Sequence, residues 1–342
     1  VTTTSNGSPP PTRTLRRIGL WGAPGSGKTT FLAALNVAVT RAQRDLLIFG
    51  SDNESTEFLA LNTAMLTSGR RFPEGTVTLQ QLSWTMNMQT QVAVPRRFGK
   101  PTLQTVPLQF NIDLLDAPGR NFGSVPEAGP SARSEHLFGA EDADGDEVVT
   151  AAPEEELIDH LAGCDGIVFL FDPIREQKVG DAYEYFQGTL LRIAQRRFGQ
   201  ARAGVSKLPH YVAVCVTKFD DPEIYRRARL GGYRTFDQND PYMFPRVHDD
   251  SASDFFADLC LQSDLGNADL VSSAIDHYFR PDRIRYFITS AIGFHVSKGA
   301  RRFREQDYQN VAPDGKIRGA IHPINVAEPL LWLGQCLATA TQ

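Results

Sequence analysis

Short unbroken apolar runs, separated by stretches of helical period, set the pattern of this 342-residue chain. Residues 17–21 (RIGLW) predict a strand that feeds a glycine-rich turn. Phe31, Leu32, Leu35 and Val39 then recur at helical spacing and predict a helix over residues 29–44. Residues 45–75 carry a weaker pattern, helical over 57–66 and loop-like over 69–75 (GRRFPEG). Strands are expected at 79–94 and 106–115, the second running into Asp116-Ala117-Pro118-Gly119. Residues 120–156 read as an acidic loop, and a helical turn opens at 157–161. The run 166–171 (GIVFLF) predicts a buried strand and 182–198 an amphipathic helix. A second buried strand, 211–216, ends in Thr217-Lys218-Phe219-Asp220. Residues 221–283 show no clear repeat; a strand at 284–289 and a helix at 326–337 close the chain. Continuous apolar strands alternating with helices call for an α/β fold, a three-layer, mostly parallel sheet with helices on both faces. Ligands of such sheets bind at the carboxyl ends of the strands, where the motifs below all fall.

Composition adds exclusions. With 41% hydrophobic and 22% charged residues, the chain has the apolar material for a sizeable core. A net charge of −5 gives no support to nucleic-acid binding through bulk positive charge. No apolar run approaches the roughly 20 residues a membrane span needs. Residues 1–14, Thr/Ser/Pro-rich and expected as a flexible tail, lack the apolar core of a signal peptide. Cys164, Cys215, Cys260 and Cys336 show no paired spacing, so neither a zinc site nor a disulfide framework is indicated. A cytoplasmic location is the expectation. The 35 basic residues divide into 28 Arg and 7 Lys, so a lysine inside a motif is informative. The arginine bias and the leading Val1, read as a literally translated GUG start, fit a GC-rich bacterial genome.

Gly22-Ala23-Pro24-Gly25-Ser26-Gly27-Lys28-Thr29 matches GxxxxGK[ST] between a predicted strand and a predicted helix. Glycines let successive backbone N–H groups curl around phosphate oxygens without Cβ clashes, and the following helix adds its N-terminal dipole. Lys28 is expected at the β- and γ-phosphates, Thr29 with its hydroxyl on Mg²⁺, and Thr30 next to it in the nucleotide contact. The loop names a nucleoside triphosphate without choosing the base.

Thr217-Lys218-Phe219-Asp220 chooses it. A carboxylate such as that of Asp220 only accepts hydrogen bonds, and guanine offers two donors, N1–H and the 2-amino group. Adenine has neither and would leave a buried carboxylate unpaired. Together with Ser290-Ala291-Ile292 after the strand at 284–289, this motif resembles the [NT]KxD and SA elements of the Ras-like and translation-factor (TRAFAC) class of P-loop GTPases. The resemblance implies a Ras-like fold, the aliphatic stem of Lys218 over the base, and the Ala291 N–H at the guanine 6-oxo group. Thr217 stands where the class usually has an Asn that ties this loop to the phosphate loop, so a weaker tether is expected.

Asp116-Ala117-Pro118-Gly119 is similar to the DxxG element of the same class. That implies Mg²⁺ held through water by Asp116 and the γ-phosphate bonded by the Gly119 N–H. The class usually follows this glycine with Gln; here Arg120 has donors only and cannot orient a water as Gln does, so slow intrinsic hydrolysis is expected. Arg120 is also a candidate for stabilising transition-state charge. Thr76, with Thr78 behind it, is the choice for the metal-binding threonine of the first switch. Arg70 and Arg71 read as solvated loop arginines, with an arginine finger as the sharper alternative. Asp142, Asp144 and Asp146 have Pro153 where a calcium loop needs its closing Glu, and read as a solvated acidic loop. Asp172-Pro173 reads as a plain turn.

The class elements occur in order from residue 17 to about 337, which implies a GTPase domain over 15–340 with insertions around 45–75, 120–156, 221–283 and 295–322. The phrases LWGAPGSGKTTFLAAL, RRFPEGT, LLDAPG, VTKFD and INVAEPLLWL further resemble the bacterial double-GTPase family. That resemblance implies a second GTPase-like protein as partner. The resulting expectation is a guanine-nucleotide switch that binds Mg-GTP, hydrolyses it slowly to GDP and signals to a protein partner through its switch loops. An ATP-dependent P-loop enzyme and a non-hydrolysing GTP-binding scaffold stay open as alternatives.

Overall fold

The apolar runs become strands because each is enclosed on both faces. Gly166–Phe171 is buried at every position, and Arg16–Gly22 and Tyr211–Val216 are buried beyond their first one or two residues. The computed structural model describes residues 15–42, 46–74, 80–94, 102–116, 151–199, 207–263, 265 and 267–339. The first half holds β1 (Arg16–Gly22), α1 (Lys28–Arg41), β2 (Leu47–Gly50), α2 (Asn53–Thr67), β3 (Gln80–Val94), β4 (Thr102–Asp116), α3 (Ala151–Gly163) and β5 (Gly166–Phe171). There follow α4 (Pro173–Val179), α5 (Ala182–Phe198), β6 (Tyr211–Val216), α6 (Pro222–Leu230), β7 (Arg234–Phe236) and β8 (Pro245–Val247). The last elements are α7 (Asp249–Leu261), α8 (Asp269–Tyr278), β9 (Ile284–Ile288) and α9 (Glu328–Thr339).

Seven strands form one sheet in the order β2-β3-β4-β1-β5-β6-β9. From β4 to β9 all neighbours are parallel, and β3 runs antiparallel to both β2 and β4. The parallel register sets Gly22 beside Leu170, Phe171 beside Val216 and Val216 beside Ile288, so the carboxyl ends of four strands meet along one edge. One face of the sheet is covered by α1, α2 and α9, which bury Phe31, Leu35, Leu59 and Leu333 with Trp84 and Phe110. The other carries α3, α5, α7 and α8, which contribute Leu161, Phe186, Phe256 and Ile275. Burying each such large side chain stabilises the fold by about 1.5–3 kcal/mol. This is the expected three-layer α/β architecture around a mostly parallel sheet.

Three expectations need correction. α2 begins at Asn53 rather than 57, because the Asp52 carboxylate caps it by accepting from the Ser55 N–H at 2.7 Å, and the short edge strand β2 precedes it. α3 begins at Ala151, inside the segment read as loop. Residues 221–283, read as a stretch without a clear repeat, contain α6, the β7–β8 hairpin, α7 and α8. α6 sets the buried Ile224, Tyr225 and Ala228 among charged residues. The expected tail over 1–14 and the acidic residues 117–150 lie outside the described residues. The four cysteines are free, as their spacing indicated.

His210, fully buried just before β6 and edge-on to Phe279, gives the fold an acid-sensitive point. Burial, reinforced by Arg197, lowers its pKa to about 4. Above the unfolded value near 6.5 it is neutral in both states. As pH falls below that value the unfolded chain takes up the proton first, so stability drops by up to about 3 kcal/mol between pH ~6.5 and ~4. His210→Phe should remove this loss. Urea melts of both proteins at pH 7 and pH 4 check it, and a stability difference that does not change with pH would clear His210 of the role.

Candidate functional site

The glycine-rich turn leaves β1 at Gly22 and enters α1 at Lys28. Gly25 and Gly27 have φ of 74° and 94°, while a Cβ added to either would meet nothing within 4 Å, so these glycines answer to backbone shape and not to crowding. Gly27 caps α1 without a side chain, so the start of the helix, with its positive dipole end, faces the turn. Lys28 Nζ folds back to donate to the carbonyls of Gly22 (3.1 Å) and Ala23 (3.5 Å). From the opposite side Tyr185 of α5 donates its hydroxyl to the same Gly22 carbonyl at 3.1 Å, and accepts from Trp21 Nε1 at 3.2 Å.

The second half of the site grows from β6 and β9. Thr217 donates its hydroxyl to the Phe171 carbonyl at 3.2 Å, so this position is tied to the neighbouring strand end. Lys218 takes a left-handed φ of 60°, and its ammonium pairs with the buried carboxylate of Asp172. Phe219 is buried, and its N–H reaches the Thr289 carbonyl at 3.0 Å. The Asp220 carboxylate accepts a short hydrogen bond from the Ser290 hydroxyl, whose oxygen accepts from the Gly293 N–H at 2.8 Å. Burial pushes Asp220 up to about 6, with the Ser290 hydrogen bond pulling the other way. The side chain is therefore ionised at neutral pH but held in an environment that asks for donors.

A cavity of about 810 Å³ lies over both halves, within the ~300–1,000 Å³ of small-molecule sites. It is lined by 24–31, Thr217, Lys218, 220–222, Thr289, Ala291 and Ile292, and by two walls at 72–74 and 309–313. The structure thus brings Pro24, Gly25, Ser26, Gly27, Lys28, Thr29 and Thr30 to one cavity with Thr217, Lys218, Asp220, Ala291 and Ile292. Gly22 and Ala23 sit beneath it as acceptors for Lys28, and Ser290 stands behind Asp220. Asp116 is the last residue of β4, two positions beyond the Leu114 that pairs with Leu20. Thr76, Thr78, Gly119 and Arg120 lie outside the described residues. Arg70 is exposed; its carbonyl accepts from the Ile317 N–H at 2.9 Å and its guanidinium reaches the Arg318 carbonyl at 3.4 Å.

Sequence reasoning missed Tyr185 and the 309–313 wall and underread Asp172, while the 72–74 wall belongs to the loop expected to lead into the first switch. Asp172 is no plain turn. Its carboxylate caps α4 by accepting from the N–H groups of Ile174 (3.0 Å) and Arg175 (3.1 Å) while it holds Lys218. Asp followed by Pro after a strand is a helix-start signature, so that signal was present. Tyr185 and the 309–313 wall had no local signal.

Away from the cavity, Asp113, His160 and Cys164 bring ligand-type atoms within 4.8 Å of one another. Arg17 already occupies this cluster, with Nε on Asp113 at 2.7 Å and Nη2 on His160 Nδ1 at 3.2 Å. Burial pushes the Cys164 thiol up to about 12. Within this cluster Arg17 ties Asp113 to His160 in one polar network.

No family model and no curated protein matches the chain. Among solved structures it is similar to the signal recognition particle receptor SRb-GTP/SRX complex from Chaetomium thermophilum. The identity there is 14% and the TM-score 0.32, over 84% of this chain and 95% of that one. It is also similar to Sup35 complexed with GDP (10% identity, TM-score 0.28, 83% of this chain) and with GMPPNP (10%, 0.28, 81%). The chain spans 40% and 37% of the length of those two Sup35 chains.

Ser290→Ala removes the hydroxyl that favours the charged form of Asp220, so its titration midpoint should rise above the value near 6. Carboxyl ¹³C NMR of the nucleotide-free protein reads this directly. A midpoint unmoved or lowered would show that the hydroxyl does not hold the carboxylate.

Proposed function

We propose that this chain is a guanine-nucleotide-binding protein that takes Mg-GTP into the 810 Å³ cavity and hydrolyses it slowly to GDP. The observation that carries this reading is the pairing, across one cavity, of a glycine-rich anion cradle with a carboxylate that only accepts hydrogen bonds. The triphosphate lies against the turn at 22–27 and the N-terminus of α1, with Lys28 leaving its carbonyl partners for the phosphates. Asp220 accepts from guanine N1–H and the 2-amino group, which together replace the hydration it has lost. The Lys218 stem, fixed at its far end by Asp172, covers one face of the base, and the Ala291 N–H meets the 6-oxo group. Thr29 at the cavity and Asp116 at the end of β4 are hard oxygen donors of the kind Mg²⁺ takes, with Thr76 as the third candidate. Bound there, Mg²⁺ would neutralise phosphate charge.

Slow turnover is supported by Arg120, which has no acceptor with which to orient water. The segments around Thr76 and after Asp116 are the loops whose order the nucleotide would control, and a protein partner, in our reading a second GTPase-like chain, would read them. Among the described residues no helix is long and apolar enough to cross a membrane.

The test is a titration of purified protein with Mg²⁺ against fluorescent GDP, GTP and ATP analogues. Guanine-selective binding is expected, and Lys28→Ala should weaken it at least ~100-fold, the scale of losing a charge-assisted phosphate contact. Asp220→Asn should move preference from guanine to xanthine nucleotides, because the new amide donates where the carboxylate accepted. Equal binding of ATP would sink the guanine assignment. Single-turnover hydrolysis well above the rate of free GTP is the expected second result; a rate equal to it would leave a binding scaffold.

A further inference from the structure

The loop at 290–293, whose Ala291 and Ile292 line the cavity, is held from behind by residues outside the GxxxxGK[ST], DxxG and TKFD motifs. Ser290 exchanges hydrogen bonds with Ile324 in an antiparallel bridge, at 3.0 and 2.8 Å. Gly293 has φ 64°, and a Cβ there would come within 2.1 Å of the His322 carbonyl oxygen, so backbone packs on backbone. Between these two pins the Ile292 carbonyl takes two donors, the His322 N–H at 2.9 Å and Asn310 Nδ2 at 3.1 Å.

Asn310 is 1% exposed and fully engaged. Its amide nitrogen also reaches the Ala320 carbonyl at 3.4 Å, and its Oδ1 accepts from the Gly319 N–H at 3.0 Å. These partners fix the orientation of the amide, since a flip would set Oδ1 against two carbonyl oxygens. Asn310 also sits in the 309–313 wall of the cavity, which closes as a hairpin through the Val311–Ile317 bridge and the 2.9 Å bond from the Arg318 N–H to the Asn310 carbonyl. One buried amide therefore spans the wall of the cavity and the loop at its base end.

We infer that Asn310 is a positioning residue for base recognition, whose amide sets where the 291–292 main chain stands and hence the hydrogen bond this main chain gives to the 6-oxo group of guanine. The inference rests on the guanine reading of the cavity. Asn310→Ala leaves the Ile292 carbonyl with a single donor and the Gly319 N–H without its acceptor, while the pins at Ser290 and Gly293 stay in place. The middle of the loop then relaxes away from its reading position.

The experiment measures affinities of the wild type and Asn310→Ala for three diphosphates, by competition with a fluorescent guanine nucleotide. GDP carries the 6-oxo group, N1–H and the 2-amino group; inosine diphosphate keeps the 6-oxo group and N1–H, and 2-aminopurine riboside diphosphate keeps only the 2-amino group. Asn310→Ala should weaken GDP and inosine diphosphate about tenfold and leave the 2-aminopurine nucleotide within about twofold, a coupling of the size seen for residues sharing one network. Equal losses for all three would overturn the proposal in favour of a general structural role, and no loss for any would overturn it outright. Thermal melting without nucleotide reports whether the variant folds; Asn310→Ser, which keeps a donor too short for both carbonyls, carries the same comparison if it does not. A wild type that fails to prefer GDP over the 2-aminopurine nucleotide removes the guanine reading itself, and that is visible before any variant is made.

Discussion

The parallel pairing of β1, β5, β6 and β9 is the constraint on which the site depends, because it aligns their carboxyl ends and so delivers three separate loops to one edge. The alignment continues past the strands. Thr217 gives both its N–H (2.9 Å) and its hydroxyl (3.2 Å) to the Phe171 carbonyl, the last of β5. Thr289 does the same to the Val216 carbonyl, the last of β6, at 2.7 and 3.0 Å. The Phe219 N–H then returns to the Thr289 carbonyl. Each loop thus begins as one more rung of the sheet, and a hydroxyl that can double the backbone bond is what the position uses. This gives Thr217 a structural purpose that an asparagine tied to the glycine-rich turn would not serve.

Charge at the cavity is arranged in compensated pairs. Lys218 is held by Asp172, which is itself satisfied by two N–H groups at the start of α4. Lys28 is held by carbonyls of its own loop. Asp220 is the exception, supported by one hydroxyl and raised to about 6 by lost hydration. A carboxylate in that state gains from a ligand that brings hydrogen-bond donors and excludes water. Lys28, by contrast, must give up its carbonyls, which only a strongly anionic ligand repays. The two ends of the cavity therefore favour different chemistry on one molecule.

How much of this was legible in the sequence depends on the range of the interactions. The glycine-rich turn is local, since Gly25 and Gly27 need only their own φ values, and it was readable from eight consecutive residues. The strands at 166–171 and 211–216 and the helix at 182–198 were readable because burial on two faces, or a long amphipathic face, leaves an unmistakable run or period. β2 and the β7–β8 hairpin were not, because three or four residues are too few to carry a period. Asn310 and Tyr185 were invisible for a different reason. Each acts on a loop far away in the chain, and an isolated Asn or a Tyr on a helix looks like any other until the fold closes.

The segment after β9, read as an insertion over 295–322, follows Phe294, which is fully buried with its ring 5.6 Å from Phe219 and 5.4 Å from Tyr225 of α6. Phe303 and Tyr308 extend the same cluster, and Tyr308 lies 4.7 Å from Tyr225. Farther along, Asn325 donates to the Ile288 carbonyl at 3.1 Å and so joins the end of β9. Phe219 is the residue between Lys218 and Asp220, so the loop that carries those two side chains reaches through its central ring to Phe294, against which Phe303 and Tyr308 pack. Aromatic pairs of this kind add about 0.5–1.5 kcal/mol each beyond the area they bury. Several converge here on one short turn, whose geometry must hold Asp220 and Lys218 in place. Phe303 and Tyr308 of this segment therefore pack onto the same aromatic core that Phe219 enters, which couples the backing of the 217–220 loop to residues beyond β9.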